Sequence, residues 1–216
     1  PLPPEPRIQA SHADDHFAGS IGLVHSASKS VSLHARTTLA YKPERYSGFT
    51  GNPALARFQD EQQWANEVGI TFGHAQSRFG GSLVGFWSKI DDYQFERTVP
   101  GSTDFVVVNA AEVISKGAEA KLMFSPVDNL WWDVQLGFTS ATFNSHRDAT
   151  GASVDGNYVP YVPRSTLRTG LTYDFGGGLS ANASYASIGR TRYDERNTAM
   201  FTQSAYNVIN AQLRYR

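Results

Sequence analysis

The 216-residue sequence predicts an all-β fold, namely an antiparallel up-and-down transmembrane β-barrel. Apolar and polar residues alternate through most of the chain, which places them on opposite faces of extended strands. No apolar run reaches the ~18 residues of a membrane helix. Along the chain, a short connection between two strands is followed by a long one, and this alternation repeats. Transmembrane barrels keep short turns on the periplasmic side and long loops outside. This sorting therefore favours a barrel over a globular sandwich.

We expect nine strands, and the segment from residue 30 to 39 shows the alternation most clearly. Its odd-numbered positions are Val31, Leu33, Ala35, Thr37 and Leu39, and its even-numbered positions are polar. Such runs exceed the ~5–6 residues of globular strands and match the ~9–11 that cross a bilayer. The strands around Phe17–His25 and Arg78–Tyr93 are less regular. The other clear runs are Trp64–Gly73, Ile114–Phe124, Leu130–Thr139, Leu167–Phe175 and Ile209–Arg216.

The connections between the strands alternate in length along the chain. Tight turns are expected at Ser26–Ser30, His74–Arg78, Pro126–Asn129 and Gly176–Gly178. Long excursions are expected at Lys42–Gln59, Gln94–Ala111, Asn144–Arg164 and Asp194–Ser204. Because the triple glycine joins two alternating strands without an intervening helix, we interpret it as a hairpin turn.

Many aromatic residues stand near the expected strand ends. Transmembrane barrels place girdles of aromatic side chains at the two membrane interfaces, and we interpret these residues as such girdles. The alternative is that aromatic residues favour strands in any environment. The residues are Tyr41, Trp87, Tyr93, Trp131, Trp132, Phe143, Tyr173, Tyr193, Tyr206 and Tyr215.

The composition argues against several classes of function. The net charge of −1 marks no surface for nucleic acid. The absence of cysteine excludes a disulfide scaffold, a thiol nucleophile and a cysteine metal site. The chain also lacks a G-x-S-x-G motif, a P-loop and a dinucleotide fingerprint. We therefore expect neither an enzyme nor a bound cofactor.

Nine strands do not close a bacterial single-chain barrel, which uses an even number of strands. An open sheet edge would leave backbone groups unpaired in lipid. We therefore expect residues 1–216 to be one partial barrel domain of a larger protein, in which Pro1–Pro6 belongs to a loop cut midway.

Six segments, in order from about Ser20 to Arg216, resemble the second half of a TonB-dependent outer-membrane receptor. Leu33–Pro43 (LHARTTLAYKP) is similar to a strand that leads into a long external loop, and Val159–Leu171 (VPYVPRSTLRTGL) to a P-x-x-P-R loop exit. The resemblance implies about nine strands of a 22-stranded barrel, without the last hairpin, the plug or the energy-coupling box. The other segments are Glu61–Gly69, Leu83–Tyr93, Asn109–Lys121 and Ala205–Arg216.

The resemblance implies active import of a scarce nutrient, most often a ferric siderophore, across the outer membrane of a Gram-negative bacterium. The implied partners are the inner-membrane TonB complex (reached through a plug), the small ligand and outer-membrane lipid, but no nucleic acid. Two other hypotheses are an outer-membrane barrel enzyme and a soluble all-β carbohydrate-binding module. The enzyme would need a complete, smaller barrel, and the module would pack its apolar faces on each other.

The resemblance also directs attention to cationic and aromatic side chains of the external loops. Ferric siderophores are usually anionic and often aromatic, so such side chains are their natural contacts. Solubility or contact with lipopolysaccharide would enrich loops in the same residues, which remains an alternative. The candidate ligand-binding residues are Arg45, Tyr46, Phe49, Arg57, Arg97, Arg147, Tyr158 and Tyr161, with Phe58 as a further loop aromatic.

Two groups of residues could be read as metal sites. His12, Asp14, Asp15 and His16 combine ligand types that suit a divalent transition metal, but a solvated turn is the simpler interpretation. The pair Asp91–Asp92 could hold Ca²⁺ or could simply end a strand. We expect no metal site.

Overall fold

The computed structural model describes residues 15–48, 50, 52–73, 77–99, 101 and 105–216. Within these residues, nine strands form one antiparallel sheet in which each strand pairs with the next along the chain. This arrangement confirms the predicted fold class. In the described part of the chain, the first and the last strand each pair on one side only, so the sheet is not closed. The strands are β1 (Gly19–Ser28), β2 (Val31–Lys42), β3 (Glu61–Phe72), β4 (Phe79–Thr98), β5 (Phe105–Phe124), β6 (Leu130–Ser145), β7 (Ser165–Gly176), β8 (Leu179–Ile188) and β9 (Tyr206–Tyr215).

Three of the predicted tight turns, Ser26–Ser30, Pro126–Asn129 and Gly176–Gly178, join neighbouring strands at one end of the sheet, which we call the turn end. The fourth, His74–Arg78, lies largely outside the described residues. One of the three joins β7 to β8, where Gly176, Gly177 and Gly178 have φ angles of 78°, 61° and 86°. Glycine adopts this left-handed conformation without steric cost, which explains the triple glycine. The longer connections lie at the opposite end, the loop end.

The loops at the loop end contain short elements of their own. In loop 43–60 (residues 43–60), Arg45–Tyr46 pairs with Arg57–Phe58 around helix α1, Pro53–Ala56. In loop 189–205 (residues 189–205), Thr191–Arg192 pairs with Thr202–Gln203. Among the residues that the structure describes, no helix has the length and apolar character that a membrane span requires.

One face of the sheet is apolar and faces away from any packed layer. The register pairs Leu39 with Trp64 and Ala35 with Val68, so these side chains lie on the same face. This face is exposed: 63% of Val68 and 57% of Phe138 are accessible. A soluble sandwich would bury such a face against a second sheet, whereas a transmembrane strand presents it to lipid. The exposed apolar face therefore disfavours the soluble module.

The opposite face is polar, and residues such as Lys89 and Lys116 depart from the pattern. Arg36 and Glu67 form an ion pair on the polar face, with Nε and Oε1 3.1 Å apart. Lys116 instead pairs with Trp87, which puts it on the apolar face. A lysine stem can lie along apolar surface while its ammonium group reaches the interface, and Trp87 lies near the loop end of that face.

Aromatic side chains border the apolar face at both ends. At the turn end, the ring of Phe79 lies 5.4 Å from Phe72 and 6.3 Å from Phe124. Toward the loop end, Trp64 and Trp87 meet edge-on at 5.8 Å. From Trp64 to Phe72 is roughly 27 Å along the strand at ~3.4 Å per residue. At a strand tilt of ~40°, this distance corresponds to roughly 21 Å of height, which is close to but below the ~25 Å of a typical apolar band.

Several of the aromatic residues predicted for the girdles do not border the apolar face. Phe143 is buried in a core at the loop end, and Tyr93 packs against that core. Trp131 pairs with Thr172 and therefore lies on the face opposite Trp132. Aromatic residues at strand ends thus mark either an interface or a packed loop, and their spacing alone does not separate the two.

The hydrophobic core lies at the loop end, between β4, β5, β6 and loop 146–164 (residues 146–164). The core begins at Asp92, whose φ angle of 53° interrupts the regular alternation of side chains along β4. As a result Tyr93, rather than Asp92, lies on the same side of the strand as Ile90. The core residues are Ile90, Phe95, Ala110, Val113, Ala141, Phe143, Val154 and Val159.

The core explains why one predicted long connection was wrong. The stretch Gln94–Ala111 was expected to be an excursion, but β4 runs to Thr98 and β5 starts at Phe105. Phe95 and Ala110 are buried in the core and Val108 packs against it, so burial stabilises the extended pairing beyond the apolar band. The two strands therefore form a long hairpin whose tip is at residues 99–104.

Loop 146–164 and loop 189–205 are held together by side-chain hydrogen bonds. Asn197 Oδ1 accepts from the backbone N–H of Tyr158, and Asn197 Nδ2 donates to the carbonyl of Tyr158, each at 2.8 Å. Asn157 Nδ2 donates to the carbonyl of Glu195 at 3.0 Å. Backbone groups of Tyr158 and Glu195 are therefore paired with side chains of the other loop. The conformation of each loop thus depends on that of the other.

A salt bridge and a further side-chain hydrogen bond join the same two loops. Arg196 Nε lies 2.5 Å from Asp148 Oδ2, and Glu195 Oε2 lies 2.9 Å from His146 Nε2. Hydrogen bonds from Thr150 and from Arg196 hold the pKa of the Asp148 carboxyl well below its ordinary value. The carboxylate therefore stays charged further into the acid range than an ordinary aspartate does, and it keeps its partners there.

Gly117→Ala should destabilise the sheet, because a Cβ at Gly117 would lie 2.0 Å from the carbonyl oxygen of Phe138. Overpacking of this kind costs ~1–3 kcal/mol, so the guanidinium midpoint of the full-length protein in detergent should fall. Gly85→Ala is the matched control, because a Cβ at Gly85 meets nothing within 4 Å. Equal midpoints for the two variants would contradict the close approach at Gly117.

Asn197→Ala should loosen the junction of the two loops, because it removes both hydrogen bonds to Tyr158. Each hydrogen bond contributes ~0.5–1.5 kcal/mol net, so losing both should raise the equilibrium constant for local opening roughly tenfold or more. Hydrogen exchange at the Tyr158 amide should accelerate by about that factor. Asn197 has a φ of 56°, so Asn197→Gly is included to remove the side chain without backbone strain. Full protection in Asn197→Gly would mean that the side chain does not hold the loops together.

Candidate ligand-binding site

The candidate residues of the first long loop lie on its short hairpin. Arg45 pairs with Phe58, and Tyr46 pairs with Arg57. Arg57 Nη2 lies 2.9 Å from Glu44 Oε2, and this bond is the first cause of the raised pKa of the Arg57 guanidinium. Phe58 is buried against the hairpin of β4 and β5, whereas Phe49 lies outside the described residues.

Arg97 and Arg147 come from two different strand ends at the loop end. Arg97 is near the end of β4, and its Nη1 is 3.7 Å from Glu195 Oε1. Arg147 follows β6 and donates from Nη1 to the carbonyl of Gly151 at 2.8 Å. Because a guanidinium group carries several N–H donors, each of these contacts occupies only part of its capacity.

Two adjoining cavities lie beside the tip of the β4–β5 hairpin. The cavity between the hairpin and residues 145–147 measures about 380 Å³, and the cavity against loop 43–60 measures about 490 Å³. Arg97, Val108 and Asn109 line both cavities, so we treat them as one depression, the outer groove. Arg57 lines one end and Arg147 the other. The structure thus brings together three of the eight candidate residues.

The two candidate tyrosines lie outside the outer groove. The guanidinium carbon of Arg164 is 4.6 Å from the centre of the Tyr158 ring. Tyr161 has a φ angle of 66°, which is unusual for a tyrosine, and 57% of the residue is exposed. Its ring lies 5.5 Å from that of Tyr193, and its N–H donates to the carbonyl of Arg192 at 2.8 Å. The loop junction therefore holds Tyr161 in a fixed, outward position.

Several residues that organise the site carry no signal in the sequence. Glu195 contacts both Arg97 and His146 and so links the hairpin tip to both loops. Gln94 donates from Nε2 to the carbonyls of Lys42, Pro43 and Gln59. Glu195 lies in a loop and Gln94 in β4, but in the sequence each is a single polar residue among other polar residues, and only the tertiary arrangement distinguishes it.

The structure gives no support to the metal interpretations within its described residues. No group of three or more His, Cys, Asp or Glu side chains gathers there. Asp91 instead accepts from Lys89 Nζ at 2.7 Å, and the ring of His16 stacks on Tyr41 at 4.4 Å. His12 and Asp14 lie outside the described residues.

Solved structures of receptors share this architecture. The ferric yersiniabactin uptake receptor FyuA from Yersinia pestis is 21% identical, with a TM-score of 0.75, and the match covers 94% of this chain and 30% of the receptor. The siderophore receptor PiuA from Acinetobacter baumannii is 16% identical, with a TM-score of 0.73, over 92% of this chain and 29% of the receptor. The copper transporter OprC is 18% identical, with a TM-score of 0.70, over 92% and 31%.

At these identities the likeness shows the fold, and the chain spans about 30% of the length of FyuA. A sequence model of one protein family, described as "TonB dependent receptor-like, beta-barrel", matches residues 5–216. The family and these three structures are transport receptors rather than enzymes. Because the family match extends over nearly the whole sequence, the chain belongs to the TonB-dependent receptor β-barrel family.

Proposed function

We propose that this chain is part of an outer-membrane receptor that imports a scarce nutrient, with energy supplied by the TonB complex of the inner membrane. The proposal rests on the exposed apolar face of the sheet, which aromatic residues border at both ends. At the loop end of this sheet, the loops pack around a hydrophobic core of their own. Such a face suits outer-membrane lipid, and ordered loops suit recognition of a ligand from outside. The TonB complex would act through a plug supplied by the rest of the receptor.

A ferric siderophore is the cargo that we propose. FyuA is a ferric yersiniabactin uptake receptor and PiuA a siderophore receptor by their names, although OprC is a copper transporter. The cationic loop residues favour an anionic cargo over a bare metal ion. We propose as contacts Arg45, Tyr46, Phe49, Arg57, Arg97, Arg147, Tyr158 and Tyr161.

The proposed membrane location can be tested on the apolar face. Val68→Arg should sharply lower the amount of receptor folded in the outer membrane, because a cation at mid-depth on a lipid-facing surface costs ~2–4 kcal/mol. Glu119→Arg is the matched control: the register places Glu119 level with Gly69, next to Val68 but on the polar face. Equal loss of folded receptor in both variants would argue against lipid contact.

Uptake of radiolabelled iron tests the proposed activity directly. The full-length receptor should restore uptake of its ferric siderophore to iron-starved cells that lack their own receptors. Uptake should disappear when the same cells lack TonB, while surface binding of the complex persists. Uptake that continues without TonB would contradict energy coupling, and failure to take up any ferric siderophore from a representative set would reject the proposed cargo.

A further inference from the structure

We propose that a row of side chains on the lipid-facing side of the sheet binds the phosphorylated headgroup of an outer-leaflet glycolipid. This polar row takes one residue from each of the five strands β2 to β6, and the register places all five on the same face. The inference rests on the proposed outer-membrane location, which puts the loop end in the outer leaflet. The residues of the polar row are Thr37, Asn66, Trp87, Lys116 and Ser140.

The polar row marks an abrupt change in the character of the lipid-facing side. The next two rows toward the turn end, on the same five strands, contain no polar side chain. The face therefore changes from apolar to polar within one step of two residues, which is roughly 7 Å along a strand at ~3.4 Å per residue. Such a boundary fits the level at which acyl chains give way to headgroups. The two apolar rows are Ala35, Val68, Gly85, Ala118 and Phe138, and then Leu33, Ile70, Leu83, Ala120 and Leu136.

Most of the hydrogen-bonding groups of the polar row are unused by the protein. Thr37 Oγ1 accepts from Trp64 Nε1 at 2.8 Å, so this hydroxyl is partly engaged. The side chains of Asn66, Lys116 and Ser140 make no hydrogen bond within the part of the chain that the structure describes. Polar groups at the edge of the hydrocarbon region take their partners from water or from lipid headgroups. This row thus presents an amide, an ammonium and a hydroxyl group to the lipid.

The charge of Lys116 directs an anion to this row. Lys89, which lies on the same face nearer the loop end, is already paired, with its Nζ 2.7 Å from Asp91 Oδ1 and 3.0 Å from Glu112 Oε2. Lys116 is exposed and forms no ion pair with any described carboxylate. The two carboxylates at Lys89 repel an anion there, whereas the ammonium group of Lys116 can reach the interface along the apolar surface. The anions available to it on this side are those of lipid headgroups.

The neighbours of Lys116 favour a phosphorylated sugar over a simple phosphodiester. A phosphodiester headgroup would use the ammonium group and leave the uncharged polar groups of the row without partners. A sugar phosphate brings hydroxyl groups as well, which Ser140 beside Lys116 and Asn66 beyond Trp87 can bind. Trp87 is 36% exposed, so its ring offers an apolar surface to a sugar ring between them.

Native mass spectrometry of the full-length receptor in a neutral detergent, titrated with monophosphoryl lipid A, tests the role of Lys116. Lys116→Gln should weaken binding of this lipid about tenfold, the scale of one charge-assisted hydrogen bond. Lys116→Arg keeps the charge and should stay within about threefold of the wild type. Lys121→Gln is the matched control, because Lys121 lies on the same strand but pairs with Ser82 and Gln135 on the polar face. Loss of a charge from a lipid-facing surface does not endanger folding.

Two further probes test the class of lipid. The same lipid A without its phosphate should bind the wild type about tenfold more weakly, and Lys116→Gln should not change its affinity. Phosphatidylglycerol carries a phosphodiester without a sugar and should bind at least about threefold more weakly than monophosphoryl lipid A.

Four outcomes would overturn the proposal: equal binding of lipid A with and without phosphate, no effect of Lys116→Gln, an equal effect of Lys121→Gln, or equal binding of phosphatidylglycerol. None of these readouts depends on iron uptake. Selective lipid binding without uptake of any ferric siderophore would keep the lipid site and reject the proposed cargo. Uptake without selective lipid binding would keep the transport function and reject the lipid site.

Discussion

The structure depends on the pairing of every strand with its neighbour while one face of the sheet stays apolar. In lipid, no water satisfies the backbone N–H and C=O groups, so each must find a partner within the sheet. The antiparallel ladder from β1 to β9 provides these partners and leaves the side chains to alternate between two environments. Register is fixed because a shift by one residue would turn a whole apolar face to the polar side.

At the loop end this constraint is relaxed and ordinary core packing takes over. The change happens at Asp92, where one residue in a left-handed conformation breaks the alternation, so that Tyr93 and Phe95 reach the same side as Ile90. Loop 146–164 closes over this side and loop 189–205 is fixed to it by Asn197. The outer groove thus lies beside a small globular core, which gives its side chains defined positions.

Much of the sheet could be predicted from the sequence, because the period of two is a local signal. The strand count, the tight turns and the apolar face followed from alternation and from glycine at Gly176–Gly178. The long hairpin could not be predicted in this way, because Phe95 and Ala110 are ordered by contact with Phe143, which is distant in sequence. The candidate site was predicted only as a set of residue types. Its grouping around Arg97, and the roles of Glu195 and Asn197, follow from contacts between loops.

The junction between loop 146–164 and loop 189–205 has a consequence for how such a receptor evolves. Arg196 needs Asp148, and Asn197 needs the backbone path at Tyr158, so the two loops are inherited as one module. A substitution that removes Asp148 or changes the backbone path at Tyr158 leaves Arg196 or Asn197 without its partner unless the other loop changes as well. Substitutions at outward side chains such as Tyr161, or in loop 43–60, leave this junction intact, so sequence change is expected to concentrate there.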